Sequence, residues 1–115
     1  MDKSFVKGHA KLERDYGYWP SFHDDIIDKI EISSRNIAFF IHMKTIPEGT
    51  ASYPIVKLTF YGIRKFSLEG ELCGCASIIF DMGSQKIDDY IETQISCSLG
   101  TSGTICSKSI EIELV

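Results

Sequence analysis

Three ionisable residues stand side by side at His23, Asp24 and Asp25, four positions after the only tryptophan, Trp19. An imidazole next to carboxylates has the parts for general acid–base work or for holding a metal ion. His42 lies in a later apolar run and is the one histidine that could approach across a strand pairing; His9 lies near the N-terminus. Neighbours along an extended chain point to opposite faces, so His23, Asp24 and Asp25 cannot converge unaided. The plainer alternative is that His23 and Asp24 bond backbone groups where the first long strand begins, as Asp readily does in turns.

The other chemical candidates are thinner. Cys73-Gly74-Cys75 places two thiols one residue apart, while Cys97 and Cys106 are single. A structural zinc site needs four ligands at recognisable spacing, and a redox pair normally has two intervening residues. The sequence has no Gly-x-Ser-x-Gly elbow, no Gly-x-x-x-x-Gly-Lys loop and no dinucleotide fingerprint. Neither a cofactor nor a metal is expected. Tyr16, Tyr18, Trp19 and Phe22 form an aromatic group with polar tips. Such residues serve as core plugs or as interface anchors. Trp19 and Phe22 are spaced to plug the end of a sheet, and Tyr16 and Tyr18 are expected to be exposed.

The elements that must position these residues follow from periodicity. From Asp25 onward apolar residues alternate. Ile26, Ile30 and Ile32 fall on one face, then Ile37, Phe39, Ile41 and Met43, then Val56, Leu58 and Phe60. Ile91, Ile95, Cys97 and Leu99 follow, then Ile110, Ile112 and Leu114. Period two marks strands with one buried face. Polar and glycine turns separate them at Ser33–Asn36, Pro47–Gly49, Gly62, Gly70, Gly74, Met82–Ser84 and Gly100–Gly103. The pattern predicts a mainly β chain: a single antiparallel, curled sheet or sandwich of six to eight strands. Residues 2–15 are read as a short frayed helix weakened by Gly8. Phe40 makes the second run apolar on both faces, so either that strand is central or Phe40 packs under the N-terminal segment. Ile105 and Ile110 differ in parity, which predicts a bulge near Lys108.

The 115 residues suit one domain, 1–115, with 43% apolar and 24% charged residues. No stretch is long and apolar enough for a signal peptide or a spanning helix, so a cytoplasmic protein with reduced thiols is expected. Net charge is −4, and all of the excess lies in residues 58–115. That balance disfavours nucleic-acid or anionic-membrane partners and permits a basic protein partner. Glu69, Glu71, Asp88, Asp89 and Glu92, with Tyr16 and Tyr18, are the candidate partner contacts.

YWPSFHDDIIDKIEI resembles the opening of the immunity protein 50 family of bacterial polymorphic-toxin systems. The family motif W-P-x-F-H-D falls here on Trp19, Pro20, Phe22, His23 and Asp24. IVKLTFYGIRKFSLEG is similar to the family's middle strand. The resemblance implies a non-enzymatic cytoplasmic inhibitor that binds and blocks a cognate toxin domain, with the motif building scaffold rather than contacting toxin. Two alternatives stand beside it. One is a small metal- or ligand-dependent enzyme using His23 and Asp24. The other is a β-rich accessory or homo-oligomeric subunit whose C-terminal strand, Ser109–Val115, supplies an exposed edge.

Overall fold

The structure is a computed structural model that describes residues 1–45, 53–70 and 77–115. Cys73-Gly74-Cys75, Glu71 and the Pro47–Gly49 turn lie outside the described residues. The strands are β1 (Val6–Lys7), β2 (Ile26–Ile32), β3 (Asn36–His42), β4 (Ile55–Tyr61), β5 (Lys65–Glu69), β6 (Ser77–Ile87), β7 (Tyr90–Leu99), β8 (Ser102–Ser107) and β9 (Ser109–Leu114). One helix, α1 (His9–Tyr16), precedes β2.

Among the described residues nine strands join one sheet in the order β1-β9-β4-β3-β2-β6-β7-β8-β5. The strand count exceeds the expected six to eight for two reasons. Val6–Lys7 is a two-residue strand too short to show a period, and it pairs in parallel with Ile110–Glu111, so the sheet is mixed. Met82-Gly83-Ser84 is not a turn: Gly83 pairs with Gln94 in the β6–β7 ladder. The turn lies instead at Asp88–Asp89, where Asp88 takes φ 52. Register shifts between Ile78 and Asp81 break the alternation that would have revealed β6.

The core follows the predicted parity in the central strands. Ile37, Phe39 and Ile41 on β3 and Val56, Leu58 and Phe60 on β4 are buried, and Phe39 packs edge-on against Phe60. Burial of each such side chain contributes about 1.5–3 kcal/mol relative to exposure. β3 is central, between β2 and β4, and Phe40 on its outer face lies beneath the ammonium groups of Lys29 and Lys57.

β2 departs from the expected pattern. Ile27, not Ile26, shares the inward face with Ile30 and Ile32, because the register shifts between Ile27 and Lys29 and Asp28 becomes the extra residue. Ile27 is accordingly buried and Ile26 exposed.

A bulge does occur near Lys108. Tyr61 pairs with Ser109 and Lys65 with Cys106, so Gly62–Arg64 faces only Ser107–Lys108. β4–β5 and β8–β9 thus form one long antiparallel ribbon with a corner. The Lys108 N–H donates to the Tyr61 carbonyl at 2.9 Å, and Gly62 supplies φ 65. The corner brings Ile105 and Ile110 into the same core despite their different parity.

The N-terminal segment is less helical than expected. Residues Lys3–Phe5 make one tight turn, and the helix begins only after Gly8. Gly8 takes φ 89, and a Cβ there would sit 2.5 Å from the Ile112 carbonyl oxygen. Only glycine fits both constraints. α1 buries Leu12 and Tyr16. Ser109–Val115 is not the end of the sheet: β9 pairs along its length with β4, and β1 covers its other side at Ile110–Glu111, leaving Ile112–Leu114 without a strand partner there among the described residues. Among the described residues no helix is long and apolar enough to cross a membrane.

Candidate functional site

Trp19, Pro20, Phe22, His23, Asp24 and Asp25 meet where α1 passes into β2. Pro20 and Phe22 are buried, and Phe22 is 1% exposed. Trp19 packs edge-on against Phe22, with ring centroids 6.0 Å apart, and its indole N–H donates to the Met1 carbonyl at 2.9 Å. Phe22 and Asp24 both have left-handed backbones, φ 66 and 67. Such geometry is unfavourable for a bulky side chain and persists only where surrounding contacts enforce it. Here the enforcement is visible. The Asp25 N–H donates to the Phe22 carbonyl at 3.1 Å, closing a turn. The Asp24 N–H donates to the Ile79 carbonyl at 2.7 Å, and the Ile79 N–H donates to the Asp25 carbonyl at 2.9 Å.

His23 belongs to the same clasp. Its Nδ1 lies 2.7 Å from the Phe80 carbonyl, which can only accept, so Nδ1–H is the donor. Its ring stacks edge-on against Phe80, and Nε2 lies 3.6 Å from Asp24 Oδ2. Asp24 also receives Lys44 Nζ at 3.5 Å. Asp25 is 4% exposed, and its Oδ1 accepts the Lys44 N–H at 2.9 Å, tying the start of β2 to the end of β3. Burial pushes the Asp25 carboxyl above the ordinary aspartate range, against the lowering effect of the Lys44 N–H and its ammonium. Sequence reasoning passed over Asp25 in favour of Asp24. No signal of residue type separates the two; only the turn at Asp24 decides which points inward.

His42 does not join His23. Its Nε2 lies 3.4 Å from Asp28, the bulge residue of β2. Among the described residues no three His, Cys, Asp or Glu side chains gather as a ligand set. With one imidazole nitrogen committed to a carbonyl and the carboxylates committed to backbone and lysine, this arrangement holds three segments together. Cys97 and Cys106 are free thiols, and partial burial raises the Cys97 thiol above its usual range.

The candidate contact residues separate. Tyr16 is buried at 2% rather than exposed, because α1 turns its ring inward against Leu12 and the core. Its hydroxyl donates to the Thr45 carbonyl at 3.0 Å and also meets the Thr45 hydroxyl. Burial pushes its phenol up to about 12, with the Thr45 bond opposing. Tyr18 is exposed, as expected, and bonds Thr45 Oγ1 at 2.9 Å. Glu69 pairs with Ser102 at one end of β8, whereas Glu92 pairs with Cys106 near the other, beside the Asp88–Asp89 turn. Four residues of strand separate these two positions by about 13 Å. Among the described residues, Glu69 thus stands apart from the Asp88, Asp89 and Glu92 group. Arg64 and Lys108 both cover the Tyr90 ring beside that turn, so acids and bases alternate there.

No protein-family model matches the chain, and no curated protein matches it. The chain is a mainly β protein with a single mixed sheet, in which the Trp19–Asp25 segment is tied to β3, β6 and the N-terminus.

Proposed function

We propose that the protein is a cytoplasmic immunity protein that binds a cognate toxin domain and blocks it by occupying its surface, without catalysis. The observation that carries this reading is the engagement of the resemblance motif. Trp19, Pro20, Phe22, His23 and Asp24 are taken up in packing and backbone hydrogen bonds, and this leaves the outward sheet faces as the surface available to a partner. A scaffold held by its motif can vary its outer side chains without disturbing the core. Tyr18 and the Asp88–Asp89 turn with Glu92 are exposed or partly exposed contacts, and the turn, with Arg64 and Lys108 beside it, offers a partner charges of both signs. A specific complex would bury on the order of 1,600 Å² in total.

The test is co-expression with the toxin domain encoded beside this chain, followed by mixing of the purified proteins. Survival of the cells and a stable complex on size exclusion are expected. Killing that proceeds unchanged, with no complex on mixing, would sink the reading.

A further inference from the structure

The sheet ends at β1 and at β5, and the two edges differ. β1 is two residues long and offers almost nothing to pair with. β5 is five residues long, Lys65-Phe66-Ser67-Leu68-Glu69, paired with β8 on one side and, among the described residues, with no strand on the other. Phe66 is 46% exposed although it faces the same way as its buried neighbour Ile105. Neither Lys65 nor Glu69 makes an ion pair among the described residues. An unpaired edge with exposed apolar side chains is a template for another strand.

We propose that β5 pairs antiparallel with β5 of a second copy, forming a two-fold dimer with one continuous sheet. The sequence of the strand selects this occupant. Place a two-fold axis through Ser67. Lys65 then stands opposite Glu69 of the second copy, Phe66 opposite Leu68, and Ser67 opposite Ser67, with every relation repeated by symmetry. Residues directly opposite across a ladder share a face. Two opposite-charge pairs therefore fall on the outer face, where Lys65 and Glu69 already lie. Two Phe–Leu pairs fall on the inner face and extend the core row that ends at Ile105 and Gly103. Both kinds of pair stabilise an antiparallel ladder. Any shift in register loses at least one of these matches. Five paired residues per copy fall short of a standard interface of roughly 1,600 Å², so the dimer is a concentration-dependent, micromolar one.

Charge exchange tests this directly. K65E makes both outer positions acidic, and E69K makes both basic, at exposed sites that leave the core untouched. Sedimentation velocity from micromolar to millimolar protein should show the wild type moving reversibly from monomer to dimer. Each single variant should associate at least about tenfold more weakly, since two symmetric attractions become repulsions. An equimolar mixture of K65E and E69K restores both opposite-charge pairs and should dimerise again. Circular dichroism and thermal melts confirm that each variant is folded. A wild type that stays monomeric throughout overturns the proposal. So do single variants that dimerise as the wild type does, or a mixture that remains monomeric.

Discussion

Phe22, just before the middle strand β2, and Phe66, on the edge strand β5, are treated oppositely by the chain. Phe22 is 1% exposed, held in a left-handed backbone by a turn, by Trp19 and by hydrogen bonds to Ile79. Phe66 is 46% exposed on a strand with one neighbour among the described residues. The clasp around Phe22 contains the rare residue types, the histidine and the paired aspartates. The edge around Phe66 contains only common ones. The residues with the parts for chemistry are held here in packing and hydrogen bonds, and the exposed phenylalanine lies where the sequence looks plain.

Alanine substitution at the two positions should give the largest difference. Phe22→Ala should cost about 3–5 kcal/mol, since the surrounding turn, indole and strand cannot all close on the space. Phe66→Ala should cost about 1 kcal/mol or less at a concentration where the chain is monomeric, because half of the ring is already in water. Urea unfolding followed by Trp19 fluorescence measures both. Equal costs would mean that the β5 edge is packed as firmly as the clasp, and the comparison would fail.

The fold was legible wherever alternation ran unbroken, as in Ile37–Met43 and Val56–Phe60, and at Lys108, where a parity change exposed the corner. It was hidden where a bulge reset the alternation. Asp28 moved Ile27 inward in place of Ile26, and the register shifts near Ile79 made β6 read as a turn at Gly83. Such irregularities are set by pairing with distant strands, not by local residue type. The same holds in the clasp. Tyr16 and Tyr18 are of one type and two residues apart, yet only the end of α1 decides that the first ring is buried and the second exposed. Asp24 and Asp25 divide in the same way at the following turn. Strand order, which makes β5 the long open edge, has no local signature at all.

Asp25 sharpens the comparison from the clasp side. Asp25→Ala leaves the Lys44 N–H without its acceptor and should cost about 1–3 kcal/mol. Asp25→Asn keeps a carbonyl acceptor and removes a poorly solvated charge, so its cost at neutral pH should be smaller. The two states also differ in pH dependence. The unfolded carboxyl titrates near 3.8, and the folded one is raised by burial, so the native state holds its proton to higher pH. Stability from this group is therefore full below 3.8 and declines as pH rises through the folded value. Glu13, lowered by its bond to Lys3, has the opposite slope, so the wild type alone would not isolate Asp25. The difference in unfolding free energy between wild type and Asp25→Asn, followed from acid to neutral pH, does. A difference that stays flat would show that Asp25 is not desolvated as its burial requires.

The smallest effect is the most informative about His23. Its Nδ1–H bond to the Phe80 carbonyl spans the junction of β2 and β6, and its side chain is 52% exposed. A partly exposed hydrogen bond of this kind is worth about 0.5–1 kcal/mol, so His23→Ala should lower stability by that amount. The loss should appear as faster hydrogen exchange at the Asp24 and Ile79 amides, whose bonds lie beside it, with no change at β5. If stability and exchange are unchanged while capture of a toxin domain is lost, His23 acts at the interface and not in the clasp. The motif would then have to be moved from the scaffold to the contact surface, and the contrast between the clasp and the β5 edge would be reversed at its most conspicuous residue.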